Sequence, residues 1–276
     1  MTKRNLSFSI IIFVTIAATF AFASKFLSTK FAPTHTPDKL LASATLAGDY
    51  LIRSIDDSGY FIYEYDPETD KVSDSYNMVR HAGTVYAMLE LYEQTQNPEL
   101  LTAARKGLVY LLGNIKSCQF KKQEYLCLID EEGDVKLGGN ALAIIAMTKY
   151  AELMNTDDDY WFNGKTLEAT SIETSHSLAD WMVASQASDG EFTAHKTNPE
   201  GTYSSTFVSE YYPGEAILAM LRLQAIAPAD EENKYLDAAE HGADWLITVR
   251  DKNKTIDNIA HDHWLLYGLN ELYRLR

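Results

Sequence analysis

Only two of the 276 residues are cysteine and seven are proline, too few for a disulfide scaffold or a proline-rich linker protein. Basic residues are scarce as well. With 24 Lys and Arg against 39 Asp and Glu the net charge is −15, so the surface repels phosphate backbones and anionic lipid, and nucleic acid is not an expected partner. The chain has no phosphate-binding glycine loop, dinucleotide fingerprint, Gly-x-Ser-x-Gly elbow or Cys-x-x-Cys pair. These absences argue against nucleotide-dependent, α/β-hydrolase and zinc-ribbon readings, and no cofactor is expected. What is present, 46% hydrophobic and 12% aromatic residues, describes a globular chain able to build a sizeable core.

Lys3 and Arg4 precede an apolar run from Leu6 to Ala23, with Ala21-Phe22-Ala23 in small-x-small order. Residues 1–24 therefore read as an export signal, either cleaved or retained as a single-helix membrane anchor. Both place the remainder outside the cytoplasm, in a periplasmic or extracellular location. Residues 25–37, with Pro33 and Pro37, read as a linker, and residues 38–276 as one domain. The cysteines, Cys118 and Cys127, flank a short alternating stretch that suggests a hairpin, and in an oxidising compartment they are expected to pair.

From Asp38 onward a helical period recurs. One set of helices is apolar almost all round and so should be buried: around Arg80–Leu89, Gly139–Met147, Tyr212–Met220 and His261–Leu269. A more amphipathic set alternates with it: Asp38–Ile55, Pro98–Ile115, Glu173–Gln186 and Asn233–Val249. Each carries an aromatic at an equivalent place, Tyr50, Tyr110, Trp181 and Trp245, roughly 60–70 residues apart. Between outer and inner helices lie short excursions such as Gly59-Tyr60-Phe61 and Asp189-Gly190-Glu191-Phe192. These predict small β-hairpins that share one rim with the inner-helix N-termini.

This alternation, with rim turns such as Gln186-Ala187-Ser188-Asp189-Gly190-Glu191-Phe192, resembles the (α/α) toroids of six-hairpin glycosidases, sugar and uronate epimerases and terpenoid cyclases. The resemblance covers residues 38–276. It implies an all-α toroid or barrel, with about four helical hairpins here where those families carry six or seven, and carbohydrate chemistry at the rim.

Polar residues concentrate where the inner helices begin. The four starts carry Tyr76, Asn77, Arg80 and His81; Asn140; Glu210, Tyr211, Tyr212 and Glu215; and His261, Asp262, His263 and Trp264. Such groups are costly in a packing surface unless paired, so the register reads as a pocket. Arg80 and the converging helix N-termini favour an anionic group, and Tyr60, Tyr63, Tyr65 and Tyr203 add aromatic faces for sugar rings.

Three chemistries fit these residues. Glycoside hydrolysis draws on Glu215, Asp262 and Glu210, with Asp74 and Glu64 in reserve. Uronate epimerisation or elimination would use Arg80, Asn77 or Asn140 to stabilise charge, with His81, His261 or Tyr211 as base and acid. A metal site from His81, His261, His263 and a carboxylate is the third, of nonstandard spacing. The expectation is an exported enzyme acting on an acidic oligo- or polysaccharide, with hydrolysis ahead of epimerisation or elimination; a non-catalytic glycan-binding module of an envelope assembly is the other class. His35, His176, His195 and His241 fall off the register and read as surface residues, and Asp157-Asp158-Asp159 reads as a solvated loop.

Overall fold

Every residue from Leu137 to Ala151 is buried. A helix apolar on all sides must be surrounded, and this one is. In the computed structural model, which describes residues 36–154, 158–202, 205–226 and 233–276, the helices are α1 (Pro37–Ser54), α2 (Met78–Thr95), α3 (Pro98–Gly113), α4 (Leu137–Met154), α5 (Leu167–Ser185), α6 (Tyr212–Ile226), α7 (Lys234–Trp245) and α8 (His263–Leu275). The short strands are β1 (Tyr65–Asp66), β2 (Lys71–Val72), β3 (Ile115–Phe120), β4 (Gln123–Leu128), β5 (Val135–Lys136), β6 (Trp161–Phe162), β7 (Lys165–Thr166) and β8 (Lys196–Thr197). The expected signal or anchor and nearly all of the linker lie outside the described residues. Among those that are described, no helix is long and apolar enough to cross a membrane.

The chain divides between residues 44 and 45, and the second unit, 45–276, is compact. Within the second, the inner helices α2, α4, α6 and α8 stand side by side in chain order, and α2, α4 and α6 each pack on the outer helix that follows. This is the alternation read from the sequence. Ala82, Val85, Met88, Ile144, Met147, Ile217 and Met220 are all fully or almost fully buried where the inner helices meet. Near their C-terminal ends Lys149 joins Glu90, Glu93 and Glu152 at 3.0–3.6 Å. Arg222 then links Glu152 to Glu271, so one ion network ties all four inner helices at the end away from the rim.

Three excursions share one turn. The N–H groups of Gly59, Gly133 and Gly190 donate to the carbonyls of Asp56, Asp130 and Ala187 at 3.0–3.1 Å. Flanking residues pair across each turn: Ile55 with Phe61, Ile129 with Val135 and Gln186 with Phe192. Gly59 and Gly190 have φ of +87° and +101° and press on the carbonyls of Lys106 in α3 and His241 in α7. The Cβ atoms of Tyr110 and Trp245 stand beside these contacts, so two of the recurring aromatics occupy equivalent places against the turns. The four aromatics are not equivalent in burial, however, since Trp181 is fully buried and Tyr50 is 59% exposed.

Strands β3 and β4 form a hairpin in which Cys118 faces Tyr125 and Cys127 faces Lys116. The cysteines are therefore diagonal neighbours, and they are bonded with Cα atoms 5.8 Å apart. Strand β5 pairs with β8, a contact between successive repeats that orients the loop leading to α6.

Candidate active site

Glu215 lies in the first turn of α6 and is 4% exposed. Its Oε2 is fully buried without a hydrogen-bond partner among the described residues. Burial, and behind it the charge of Asp262, pushes the Glu215 carboxyl up to about 8, so at neutral pH it holds its proton. Two glycines make the room. A Cβ on Gly138, at the start of α4, would stand 2.4 Å from Glu215 Oε2, and one on Gly214 would stand 2.8 Å from Asp262 Oδ1.

Asp262 is the N-cap of α8, its Oδ1 accepting the Leu265 N–H at 3.0 Å. It too is raised by burial, with the Leu265 N–H and Arg250 pulling the other way. Its Oδ2 has no hydrogen bond and faces Arg250 Nη1 at 3.6 Å as an ion pair. The two carboxyls thus differ: one neutral in an apolar setting, the other held by a cap and a guanidinium.

Arg250 is a residue that sequence reasoning missed. It ends a five-residue π-helix, Leu246–Arg250, that continues α7; such turns shift the helix register and re-aim side chains. The guanidinium clamps Asp251 with two bonds of 3.0 and 2.7 Å and donates from Nη1 to the Glu210 carbonyl at 2.9 Å. It also walls a cavity of about 450 Å³ bounded by Phe192, His195, Phe207, Glu210 and Trp245. Glu210 itself is exposed and lies 3.5 Å from Lys254.

His195 was expected at the surface and is instead half-buried in this cavity wall. Its Nδ1 accepts the Ser209 N–H at 3.0 Å and its ring stacks with Tyr212 at 6.4 Å. Desolvation lowers its pKa, keeping the ring neutral. Asp158, expected in a solvated loop, is also a correction: its side chain is 1% exposed and bonds Arg105, Tyr150 and the backbone of Tyr160 and Glu168. Asp157, His35 and Tyr203 fall outside the described residues. His176 is half-buried beside Tyr235, another departure, whereas His241 is exposed as expected.

A second cavity, of about 210 Å³, opens beside the start of α2 and is lined by Tyr50, Tyr63, Tyr76, Asn77, Arg80 and His81 among others. His81 was read as a base and the structure removes it from that role. Its Nε2 faces the Gly107 carbonyl at 3.0 Å, which can only accept, so Nε2 carries the proton. Nδ1 then accepts from the Tyr76 hydroxyl at 2.6 Å, and that hydroxyl accepts the Phe61 N–H. Both nitrogens are engaged and burial pushes the ring down to about 4; His81 is a neutral strut between α2 and α3. His81→Phe should lower stability by about 2–3 kcal/mol, measured by urea denaturation, with turnover per folded molecule retained.

Asn140 is likewise structural. It accepts from Leu128 N–H and donates to the Lys136 carbonyl, fastening β4 to α4. Asn77 caps α2 by accepting the Arg80 N–H. Tyr65 projects from the β1–β2 hairpin, bonded to Asp70, and does not line either cavity. Tyr60 stacks on Tyr76 at 4.0 Å. Tyr211, His263, Trp264 and Tyr267 form a chain of rings with centroids 4.9–6.3 Å apart, continued to Tyr86. His261 and His263 are exposed, and the structure does not gather them with His81 into a metal-binding set. The one acidic cluster among the described residues with ligand-like spacing is Asp130, Glu132 and Asp134. It is already bridged by Lys136 and Lys196.

No protein-family model matches this chain, and no curated protein matches it. Solved structures do. A D-mannose isomerase aligns with TM-score 0.54 at 16% identity, over 77% of this chain and 52% of its own. An unsaturated glucuronyl hydrolase variant with dGlcA-Glc-Rha-Glc aligns with TM-score 0.57 at 16% identity, over 84% of this chain and 67% of its own. A glycoside hydrolase family 76 mannosidase from Bacteroides thetaiotaomicron VPI-5482 aligns with TM-score 0.51 at 16% identity, over 72% and 54%. This chain spans about half to two thirds of the length of these structures. All are (α/α) toroids, and this chain has their fold.

Proposed function

We propose that the chain is a carbohydrate-active enzyme acting outside the cytoplasm on an acidic glycan, and that the reaction is glycoside hydrolysis. The observation that carries this reading is the Glu215–Asp262 pair: one carboxyl kept protonated to about pH 8 by burial, its neighbour held by a helix cap and a cation. Hydrolysis asks for that division of labour. Glu215 gives its proton to the glycosidic oxygen as the bond to the anomeric carbon breaks, and Asp262 supplies the ionised carboxylate that offsets the developing positive charge or takes the proton of the incoming water. The cavity walled by Arg250, the residue that meets Asp262 at 3.6 Å, offers aromatic and polar surface to a sugar. The likeness to solved toroids that include a mannosidase and a glucuronyl hydrolase supports carbohydrate as the substrate class. The export reading rests on the sequence of residues 1–24, in keeping with the Cys118–Cys127 bond.

Proton NMR of the protein with neutral and uronate-containing oligosaccharides in D2O tests the proposal. New reducing-end anomeric signals are expected. Alkene signals, or loss of the C5 proton by exchange, would replace hydrolysis by elimination or epimerisation, and line broadening without product would make the chain a binding module.

A further inference from the structure

Arg80 is exposed, yet no carboxylate partner meets it among the described residues. Its Nη1 donates to the Tyr63 hydroxyl, and its guanidinium carbon lies 5.4 Å from the centroid of the Tyr63 ring. Cations beside the carboxyl pair and the rim turns are compensated, Arg250 by Asp251, Lys254 by Asp251 and Glu210, Lys136 by Asp130 and Lys196 by Asp134, whereas Lys121 on the β3–β4 turn is spent on the Ala184 carbonyl and lines neither cavity. In a chain of net charge −15, a guanidinium held in place by a tyrosine and left without an acid is a site prepared for an anion from outside.

The surroundings define that anion. The 210 Å³ cavity is lined by Arg80 together with Tyr50, Tyr63, Asn77 and Thr84. His81 is neutral here, for the reasons given above, so Arg80 is the single charge among the described lining residues. One positive charge suits a carboxylate of charge −1 better than a phosphate monoester of charge near −2, and the tyrosine faces suit a sugar ring.

The place in the fold gives the site its relation to the carboxyl pair. Helix α4 stands between α2, which carries Arg80, and α6, which carries Glu215. Its first residues are small on both sides: a Cβ on Gly139 would stand 3.8 Å from a Val79 methyl, and one on Gly138 would collide with Tyr212 and Glu215.

We propose that the Arg80 cavity is a carboxylate-reading subsite, separate from the Glu215–Asp262 pair, which binds a uronate residue of a glycan whose other part reaches the pair. As a statement about the route of a substrate this rests on the proposed function; as a statement about binding it does not. Arg80 and Tyr63 set which glycan is held, and Glu215 acts on it.

Isothermal titration with a uronate oligosaccharide and its carboxyl-reduced, neutral counterpart tests this on three proteins. Wild type should bind the uronate form about 10–100-fold more tightly. Arg80→Gln should erase that preference, and Tyr63→Phe, which frees the guanidinium, should reduce it several-fold. Glu215→Gln should keep it. A preference that survives in Arg80→Gln, or a wild type that does not distinguish the two ligands, overturns the subsite. If the preference is present and lost with Arg80 while no glycan is turned over, the hydrolase reading fails and the subsite stands. A sulfated oligosaccharide preferred over the uronate would overturn the carboxylate assignment.

Discussion

Replacing Glu215 by Gln is expected to reduce release of reducing ends from a uronate oligosaccharide by about 10²–10⁴-fold. Gln keeps the shape and one hydrogen-bond donor but has no proton to transfer. In wild type, activity should fall as pH rises through about 8, because the acid form of Glu215 is the one that works and burial beside Asp262 pushes its carboxyl up to that value. The residual activity of the variant should lack this alkaline limb. A limb that stays in place in Glu215→Gln would assign the titration to another group.

The same side chain predicts a change in stability of definite sign. An ordinary Glu ionises near 4.5, whereas in the folded protein Glu215 holds its proton to about 8. Its contribution is fully present below 4.5. Between these values the unfolded chain binds fewer protons than the folded one, so stability falls with rising pH until the folded carboxyl also ionises. Glu215→Gln is free of that loss. It should gain on wild type by on the order of 3 kcal/mol across this interval, read as urea midpoints at about pH 4.5 and about pH 8.5. A variant that is more stable and nearly inactive is the signature of a group kept for chemistry at the expense of folding.

Much of this was readable in the chain because it lies in local pattern. The apolar run Ala141–Met147 can only be a surrounded helix, and the polar residues at each inner start mark one end of the bundle. Glu215 is legible as a carboxyl in the first turn of an otherwise apolar helix, and burial at that place is what raises its pKa. The start of α5 was less well placed. The sequence reading begins it at Glu173, whereas Thr166 caps it at Leu167. The missed cue was Asn163-Gly164, both with positive φ, a two-residue turn that joins β6 to β7 and delivers the cap.

What the sequence hid depends on contacts between repeats. His81 sits in the predicted register, but its role is decided by a Gly107 carbonyl on α3, and no pattern along α2 reveals that. Arg250 reads as a charged residue near the end of an amphipathic helix, and only the π-turn and the Glu210 carbonyl bring it to Asp262. Asp158 belongs to a triplet that looks solvated until Arg105 and Tyr150 enclose it. In each case the neighbour that settles the chemistry is more than about one helix away, or on the far side of a turn whose geometry is set by packing.

Gly190→Ala should destabilise the fold by about 3–4 kcal/mol, and the turns themselves supply the control. At φ of +101° an L side chain is strained, and an added Cβ would stand 2.2 Å from the His241 carbonyl of α7. That oxygen is helix backbone and cannot rotate aside, so α7 must move off the rim. Gly133 makes the equivalent turn at φ of +82° but has nothing within 4 Å of its Cβ position, so Gly133→Ala meets the conformational penalty alone, about 1 kcal/mol. Gly59, whose Cβ would stand 2.2 Å from the Lys106 carbonyl, should behave like Gly190. Urea midpoints of the three variants therefore separate strain in the turn from contact with the next outer helix. Equal losses at all three would mean that the rim turns do not hold the repeats together; a large loss at 59 and 190 with a small one at 133 would show that two of the repeats are fastened by a glycine pressed against the neighbouring helix.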